Sequence, residues 1–294
     1  MIDIECVLDA KAELGEATYW DPKAEVLWWI DIYGPTIHRF DPKTKRDDTW
    51  QAPEYLGTLS VREKGGLIVT MASGFYFFDP ATGRFDKIVD PESDIADSRF
   101  NDGKTDRQGR FWSGTMWEAP PKPPAKIGSL WRMDADLGVH RIIEGIGCSN
   151  GLAWSPDDRV MYFTDSHTNL ILAYDFDAAS GNATNRRVFA DLSKDGYIVD
   201  GSTVDAEGNY WATIPFKGKV LAFDPGGKLI RTIDLPCDLP TCCEFGGKDL
   251  DTLYVTTALY SRSGRDMTGQ KNPGGLFAIH GLGVKGLPLV PFRG

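Results

Sequence analysis

The 294-residue sequence contains no apolar run near the roughly 20 residues of a membrane-spanning helix, and no cluster of Lys and Arg residues. Its net charge of −10 opposes a nucleic-acid partner, which normally meets a basic surface. The first residues lack the basic and apolar stretches of a secretory signal. We therefore predict a cytoplasmic protein that binds neither nucleic acid nor membrane, and we expect a monomer.

Histidine and cysteine are also scarce. The five cysteines form no C-x-x-C pair, and none of them has a histidine at the spacing of a zinc finger. A zinc site with thiolate ligands is therefore not expected. Reduced thiols are expected in the cytoplasm, and a strained bridge between the adjacent Cys242 and Cys243 is the alternative. Four isolated histidines are interpreted as surface or strand residues: His38, His140, His167 and His280.

Internal repetition is the main feature that is present. Three short motifs recur six times in the same order, with a period of 40 to 51 residues between equivalent markers, which are Trp29, Val69, Trp112, Phe163, Trp211 and Val255. Each repeat has three strand-like runs and an outer apolar segment, which is the composition of a propeller blade. We predict an all-β, six-bladed β-propeller with a central channel, formed by a single domain over residues 1–294. A β-sandwich with aromatic strands is the alternative.

The ends of the repeats predict how the ring closes. The run Ile4–Leu8 precedes the first motif, so it is expected to complete the last blade. The proline-rich stretch Pro120–Pro124 is interpreted as a loop within a repeat, because no linker divides the chain.

Polar residues begin the first motif of each repeat, where the innermost strand of a blade would line the channel. They are Glu16, Gly57, Asn101, Asn150, Asp200 and Thr241. Each Asn-Gly or Asp-Gly pair taken alone is a turn signal. Four of these residues, however, precede the marker of their own repeat by 11 to 13 positions: Glu16, Asn101, Asn150 and Asp200. The shared register predicts that they meet at one mouth of the channel.

Two carboxylates buried together repel each other unless a cation balances them. Glu16 and Asp200 would supply two negative charges and Asn150 a carbonyl oxygen, which suits a hard divalent cation. By their hardness, Ca²⁺, Mg²⁺ and Mn²⁺ are the cations that suit these oxygen ligands. Zn²⁺ and Fe²⁺ are further candidates. Because three protein ligands leave positions for water and substrate, the pattern indicates a catalytic metal site.

Two other motifs match known chemistry only in part. Gly147–Gly151 fits the G-x-S-x-G pattern, but a strand and a turn follow Ser149 where a nucleophile elbow needs a helix. The Gly103–Thr105 segment lacks the upstream glycine of a phosphate-binding loop. Neither predicts a site.

Taken together, several segments resemble the SMP-30/gluconolactonase/LRE family over the whole chain: Leu14–Glu16, Arg99–Lys104, Ser149–Gly151, Asp200–Gly201, Asp205–Trp211 and Phe245–Gly247. The resemblance implies a six-bladed propeller with one divalent metal ion in its channel. The family's metal ligands fall on Glu16, Asn150 and Asp200, and its substrate-binding arginine and asparagine fall on Arg99 and Asn101.

The match is imperfect at two places. A family acidic residue that covers the substrate falls on Glu118, but the following Ala119–Pro121 departs from the pattern. Glu244 stands where a small residue or cysteine is expected, which predicts an altered pocket wall.

The resemblance implies a metal-dependent hydrolase that opens sugar lactones to aldonic acids in a sugar oxidation pathway. The metal would polarise the lactone carbonyl, and Asp200 would orient or deprotonate the attacking water. Arg99 and Asn101 would hold sugar hydroxyls, although Arg99 could instead pair with Asp97 or Asp102. The alternatives are a calcium-binding regulatory protein, a scaffold that binds partners on its faces, and a phosphotriesterase.

Overall fold

The computed structural model describes residues 1–118 and 127–294. Nearly all of its regular structure is β-strand. The strands form six antiparallel four-stranded sheets. The innermost strand of each sheet contacts the innermost strand of the next, and the sixth contacts the first, so the sheets close into a ring. This confirms the predicted six-bladed propeller. The predicted loop Pro120–Pro124 lies outside the described residues.

The first three blades take their strands in sequence order. Blade 1 contains β2 (Gly15–Asp21), β3 (Val26–Asp31), β4 (Thr36–Asp41) and β5 (Arg46–Gln51). Blade 2 contains β6 (Leu56–Val61), β7 (Leu67–Met71), β8 (Gly74–Asp79) and β9 (Arg84–Val89). Blade 3 contains β10 (Ser98–Thr105), β11 (Phe111–Trp117), β12 (Gly128–Met133) and β13 (Val139–Ile146).

The last three blades follow the same plan, except that the final outer strand comes from the other end of the chain. Blade 4 contains β14 (Ser149–Trp154), β15 (Val160–Asp165), β16 (Leu170–Asp177) and β17 (Asn182–Asp191). Blade 5 contains β18 (Ser202–Val204), β19 (Tyr210–Ile214), β20 (Lys219–Phe223) and β21 (Leu229–Asp234). Blade 6 contains β22 (Pro240–Gly246), β23 (Thr252–Thr257), β24 (Leu276–His280) and β1 (Asp3–Leu8).

Ring closure depends on the pairing of β1 with β24. The two strands are antiparallel, with Ile4 opposite Ile279 and Cys6 opposite Phe277. The prediction that Ile4–Leu8 completes the last blade is therefore confirmed. All five cysteines are free thiols, and Cys242 and Cys243 are not bridged.

Helical structure is limited to one short 3-10 helix, Ser261–Ser263, in the described part of the chain. No helix within residues 1–118 and 127–294 has the length and apolar character to cross a bilayer.

The innermost strands share a register break that positions the channel residues. In five blades the pairing with the second strand shifts near the start of the strand, between Glu16 and Tyr19 in blade 1 and between Asn150 and Ala153 in blade 4. Ala17 and Gly151 adopt left-handed backbone angles there, with φ of 52° and 64°. Because a bulge turns side chains away from the regular alternation, these breaks direct polar groups into the channel.

The large aromatic residues of the second strands fill the space between blades. Trp29, Trp112 and Trp211 are each at most 1% exposed. The Trp112 ring packs edge-on against Trp154 of the next blade, and that of Trp211 against Phe245. The tryptophan markers are thus buried, and two of them pack against an aromatic ring of the next blade.

After β24 the chain crosses one face of the ring, at the end of the channel where Lys104 and Glu244 lie. Gly286 donates to the Leu250 carbonyl at 2.7 Å and Phe292, which is fully buried, donates to the Val61 carbonyl at 2.8 Å. Between these two points, residues 287–290 border Lys104 and Glu244 at that end of the channel. Substrate access is therefore expected from the opposite mouth.

Two turns before second strands share one buried hydrogen-bond pattern. The Asp205 carboxylate accepts hydrogen bonds from the Asn209 side chain at 2.8 Å and from the Trp211 indole at 2.9 Å. Asp106 binds the Arg110 guanidinium and the Trp112 indole in the same way. Each aspartate thereby fixes the orientation of a core tryptophan and closes a turn.

We expect Asp205→Ala to lower the free energy of unfolding by at least about 3 kcal/mol, because the buried indole and amide donors lose their acceptor. Asp224→Ala is the matched control. Asp224 closes the next turn in blade 5 through backbone N–H groups alone, and we expect its loss to cost less than about 1 kcal/mol. Urea denaturation of both variants measures the difference, and equal losses would contradict the assigned role of Asp205.

Candidate metal centre and active site

A cavity of about 290 Å³ opens at one mouth of the channel. This is close to the lower end, about 300 Å³, of pockets that bind small molecules. Residues from five of the six blades line it, and they include five of the six predicted site residues: Glu16, Arg99, Asn101, Asn150 and Asp200. The structure therefore brings together residues that are up to 184 positions apart in the sequence.

The carboxyl groups of Glu16 and Asp200 lie within hydrogen-bonding reach of each other. Burial raises the pKa of Glu16 well above its usual range, and the charges of Asp200 and Asp102 raise it further. Burial and the charge of Asp102 also raise the pKa of Asp200. The pair therefore resists carrying two negative charges unless positive charge is added between the carboxylates.

Asp102 lies deeper in the channel and adds to this negative field. Burial raises its pKa to about 6, although Lys104 and backbone N–H groups favour the charged form. One of these groups, the Gly103 amide, donates to the carboxylate at 2.8 Å. Asp102 therefore contributes negative charge near Glu16 and Asp200 at neutral pH.

The cationic side chains nearby are paired with other carboxylates. Arg99 Nε lies 2.6 Å from Glu118 Oε2, and Lys104 Nζ lies 2.7 Å from Glu244 Oε2. Glu16, Asp102 and Asp200 thus lack a cationic partner of their own among the described residues. An excess of negative charge is confined to this part of the channel.

A chain of amide hydrogen bonds fixes Asn150. Its Nδ2 donates to Ser166 Oγ at 2.8 Å, so its carbonyl oxygen faces the other way and accepts from Asn101 Nδ2 at 3.2 Å. A carbonyl oxygen has two acceptor positions, so one remains for a ligand. The second amide hydrogen of Asn101 binds the Ser149 carbonyl at 2.9 Å, which saturates its donors.

Arg99 is buried and held by three acceptors. Besides Glu118, it donates through Nη1 to Asn101 Oδ1 at 2.8 Å and to the Phe100 carbonyl at 2.9 Å. Its Nη2 makes no hydrogen bond to any residue of the described ranges. Tyr33 donates to the other Glu118 oxygen at 3.2 Å. Arg99 therefore pairs with Glu118, and not with the sequence neighbours Asp97 or Asp102.

The donor set fits a hard divalent cation. No group of three His, Cys, Asp or Glu side chains within residues 1–118 and 127–294 has the arrangement of a metal site. Glu16, Asp200 and the Asn150 carbonyl together nevertheless offer two acidic oxygens and one neutral oxygen at a point of uncompensated negative charge. Oxygen ligands of this kind are those that Ca²⁺, Mg²⁺ and Mn²⁺ prefer.

Other residues of the cavity were not predicted from the sequence. Ser166 and the exposed His167 follow the second strand of blade 4, while Phe216 lies in the turn between β19 and β20. Loops carry no periodic pattern that could have identified them. Cys148 also borders the site, and burial raises the pKa of its thiol to about 12, so it is expected to stay protonated. Ser149 begins a strand with no helix after it, which confirms that it is not in a nucleophile elbow.

Comparison with known proteins gives consistent results. The SMP-30/gluconolactonase/LRE-like region matches residues 14–259. The chain is 35% identical over 294 residues to regucalcin of Danio rerio, covering 100% of this chain and 99% of the relative. A solved luciferin-regenerating enzyme is similar with a TM-score of 0.92 and 28% identity, covering 100% of both chains. A calcium-binding protein, regucalcin, from Agrobacterium tumefaciens has a TM-score of 0.90 and 28% identity over 98% of this chain and 96% of that one.

The raised pKa values of Glu16 and Asp200 predict how the stability of the metal-free protein depends on pH. Above the ordinary range of these carboxyls, the unfolded chain releases protons that the folded site retains, so stability falls as pH rises. Asp200→Asn removes the contribution of Asp200 to this effect and weakens that of Glu16. In chelator, we expect the variant to be more stable than the wild type at about pH 8 and equally stable at about pH 4.

The matched control is Asp224→Asn in a partly exposed turn, which should change stability equally at both pH values. Denaturation curves at the two pH values measure the difference. A divalent cation should stabilise the wild type more than Asp200→Asn. Parallel pH profiles for the wild type and Asp200→Asn would contradict the electrostatic account.

Proposed function

The chain belongs to the SMP-30/gluconolactonase/LRE-like family, and on this basis we propose that it is a metal-dependent hydrolase that opens sugar lactones to aldonic acids. The observation that carries the proposal is the contact of two carboxylates, the buried Glu16 and the half-buried Asp200, beside an amide oxygen in a cavity of small-molecule size. Opening a lactone adds water to the carbonyl carbon and breaks the ring C–O bond. A cationic centre, a base and a substrate-binding group would each accelerate this reaction.

Glu16, Asn150 and Asp200 would hold one divalent cation, with Ca²⁺, Mg²⁺, Mn²⁺, Zn²⁺ and Fe²⁺ as candidates. When bound, such an ion supplies positive charge that polarises a carbonyl oxygen. The carboxylate pair supports this assignment, because burial raises the pKa of both groups and the charge of Asp200 raises the pKa of Glu16 further, so added positive charge favours their joint ionisation.

Asp200 is the base in this proposal. A bound cation lowers the proton affinity of a carboxylate, whereas burial and the nearby charge of Asp102 raise the pKa of Asp200. These opposing effects keep the carboxylate charged and still able to accept a proton from water. When the ring C–O bond breaks, the same proton can pass to the leaving oxygen, which restores the base.

Arg99 is the substrate-binding group. Its Nε and Nη1 are held by Glu118 and Asn101, which fix the plane of the guanidinium and leave Nη2 for the substrate. The same donor would bind the carboxylate that ring opening creates. Because the donors of Asn101 are already used, we assign it to positioning Arg99 and Asn150 rather than to holding a sugar hydroxyl.

A calcium-binding role without catalysis is the second candidate. It is favoured by the oxygen-only donor set and by the similarity to the calcium-binding regucalcin of Agrobacterium tumefaciens. The two candidates differ in one measurable property, the hydrolysis of lactones by the metal-loaded protein. The site residues come from a single chain, so we also propose that a monomer suffices for either role.

A panel of aldonolactones, assayed with each candidate metal and after chelation, tests the proposal. We expect hydrolysis that disappears on chelation and returns with metal. Asp200→Asn should lower kcat/KM by at least about 100-fold and reduce the bound metal measured by mass spectrometry. Asp224→Asn serves as the control and should retain both properties.

Two outcomes would be decisive against the proposal. Metal binding without hydrolysis of any lactone would favour the calcium-binding role. An Asp200→Asn protein with the metal content and rate of the wild type would show that the site is elsewhere.

Arg99→Ala should lower kcat/KM for hydroxylated aldonolactones by about 1–3 kcal/mol of transition-state stabilisation, because a buried donor to the substrate is lost. Unsubstituted butyrolactone has no hydroxyl to bind, so its hydrolysis should change less. Arg84→Ala, an exposed arginine paired with Asp86, is the control. Equal losses on both substrates would show that Arg99 has only a structural role.

A further inference from the structure

One side of the cavity is apolar. Ile198, Pro215, Phe216 and Leu239, which we call the apolar wall, line it beside blades 5 and 6. Ile198 is 36% exposed and Phe216 41% exposed, although most large apolar side chains of the protein are buried. When an apolar part of a ligand covers such surface, water is displaced from it and binding is favoured.

Three of the four hydroxyl groups that line the cavity are already used by the protein. Ser166 donates to the Val199 carbonyl at 2.6 Å, Thr241 donates to the Gly15 carbonyl, and Tyr33 donates to Glu118. Outside the carboxylates, Arg99 Nη2, the exposed imidazole of His167 and the Tyr260 hydroxyl remain available to a substrate. The four side chains of the apolar wall offer no hydrogen-bonding group to a substrate hydroxyl.

Phe216 occupies its position at a conformational cost. Its φ of 66° lies in the left-handed region, which bulky residues rarely adopt. Its ring packs under the Arg265 guanidinium, whose carbon lies 4.8 Å from the ring centre, and Arg265 in turn pairs with Asp238. Residues of another loop therefore hold the Phe216 ring at the rim of the cavity. Glycine or asparagine at position 216 would adopt the left-handed backbone with less strain.

From these observations we propose, given the lactonase function proposed above, that the substrate is a deoxy-sugar lactone whose apolar substituent packs on the apolar wall. Phe216 is the specificity-determining residue. Arg99 binds a ring hydroxyl on the polar side, while a methyl group takes the place that a hydroxymethyl group has in the fully hydroxylated sugar. A hydroxyl against the wall would lose its hydrogen bonds to water and gain none.

A pair of lactones with the same ring and configuration, one carrying a methyl and one a hydroxymethyl substituent, tests this inference. For the metal-loaded wild type we expect a kcat/KM ratio of about 10 to 100 in favour of the methyl compound, the range over which an apolar pocket discriminates against an added hydroxyl. The ratio does not depend on the amount of correctly folded enzyme, since partial misfolding lowers both rates equally.

Phe216→Asn should bring the ratio close to one, because asparagine tolerates the left-handed backbone and offers a partner to the hydroxyl. Phe216→Leu should keep most of the preference. The matched control is Val188→Asn on the outer strand β17, where the side chain is 55% exposed and distant from the cavity lining. Ile198→Ser, on the same wall, provides a second test that does not depend on the folding of Phe216→Asn.

A wild-type ratio of one or less, or an unchanged ratio in both Phe216→Asn and Ile198→Ser, would overturn this inference and leave the lactonase function intact. Failure of the metal-loaded protein to hydrolyse any lactone would instead overturn the lactonase function, and the inference with it.

Discussion

Repulsion between Glu16 and Asp200 is the constraint that organises the channel. The ring brings the two carboxyls into contact, and burial makes their joint ionisation unfavourable. The surrounding cations relieve this repulsion only in part, because Arg99 is paired with Glu118 and Lys104 with Glu244. The uncompensated negative charge therefore lies on Glu16, Asp200 and Asp102, close to the neutral carbonyl oxygen of Asn150. A cation bound there would stabilise the folded protein and, in the function proposed above, would supply the charge that polarises a lactone carbonyl.

Much of the fold and part of the site could be predicted from the sequence. The repeat carries the blade pattern because each blade buries one aromatic or apolar residue at the same point of its second strand. The register of Glu16, Asn101, Asn150 and Asp200 was informative for a related reason. Residues at equivalent positions of the innermost strands face the same channel mouth, whatever their separation in the chain.

The contacts between strands and loops could not be predicted in the same way. Asp97 and Asp102 were the alternative partners that the sequence offered for Arg99. It pairs with Glu118 because Met116 lies opposite Arg99 in the β10–β11 ladder, which places Glu118 within reach. Glu244 differed from the family pattern without an apparent reason, and the structure shows that it neutralises Lys104 inside the channel. Phe216 lies in a turn, where no repeat constrains the residue type.

The pairing of β1 with β24 has a consequence for how the protein is made. β1 leaves the ribosome before the other described strands, whereas β24, its neighbour in the sheet, leaves after them. During synthesis the growing chain must therefore keep an unpaired edge strand while five blades form, and such edges promote wrong pairing between chains. Correct assembly is complete only when the final blade recruits this strand, so translation speed and chaperone protection are expected to influence the yield of folded protein.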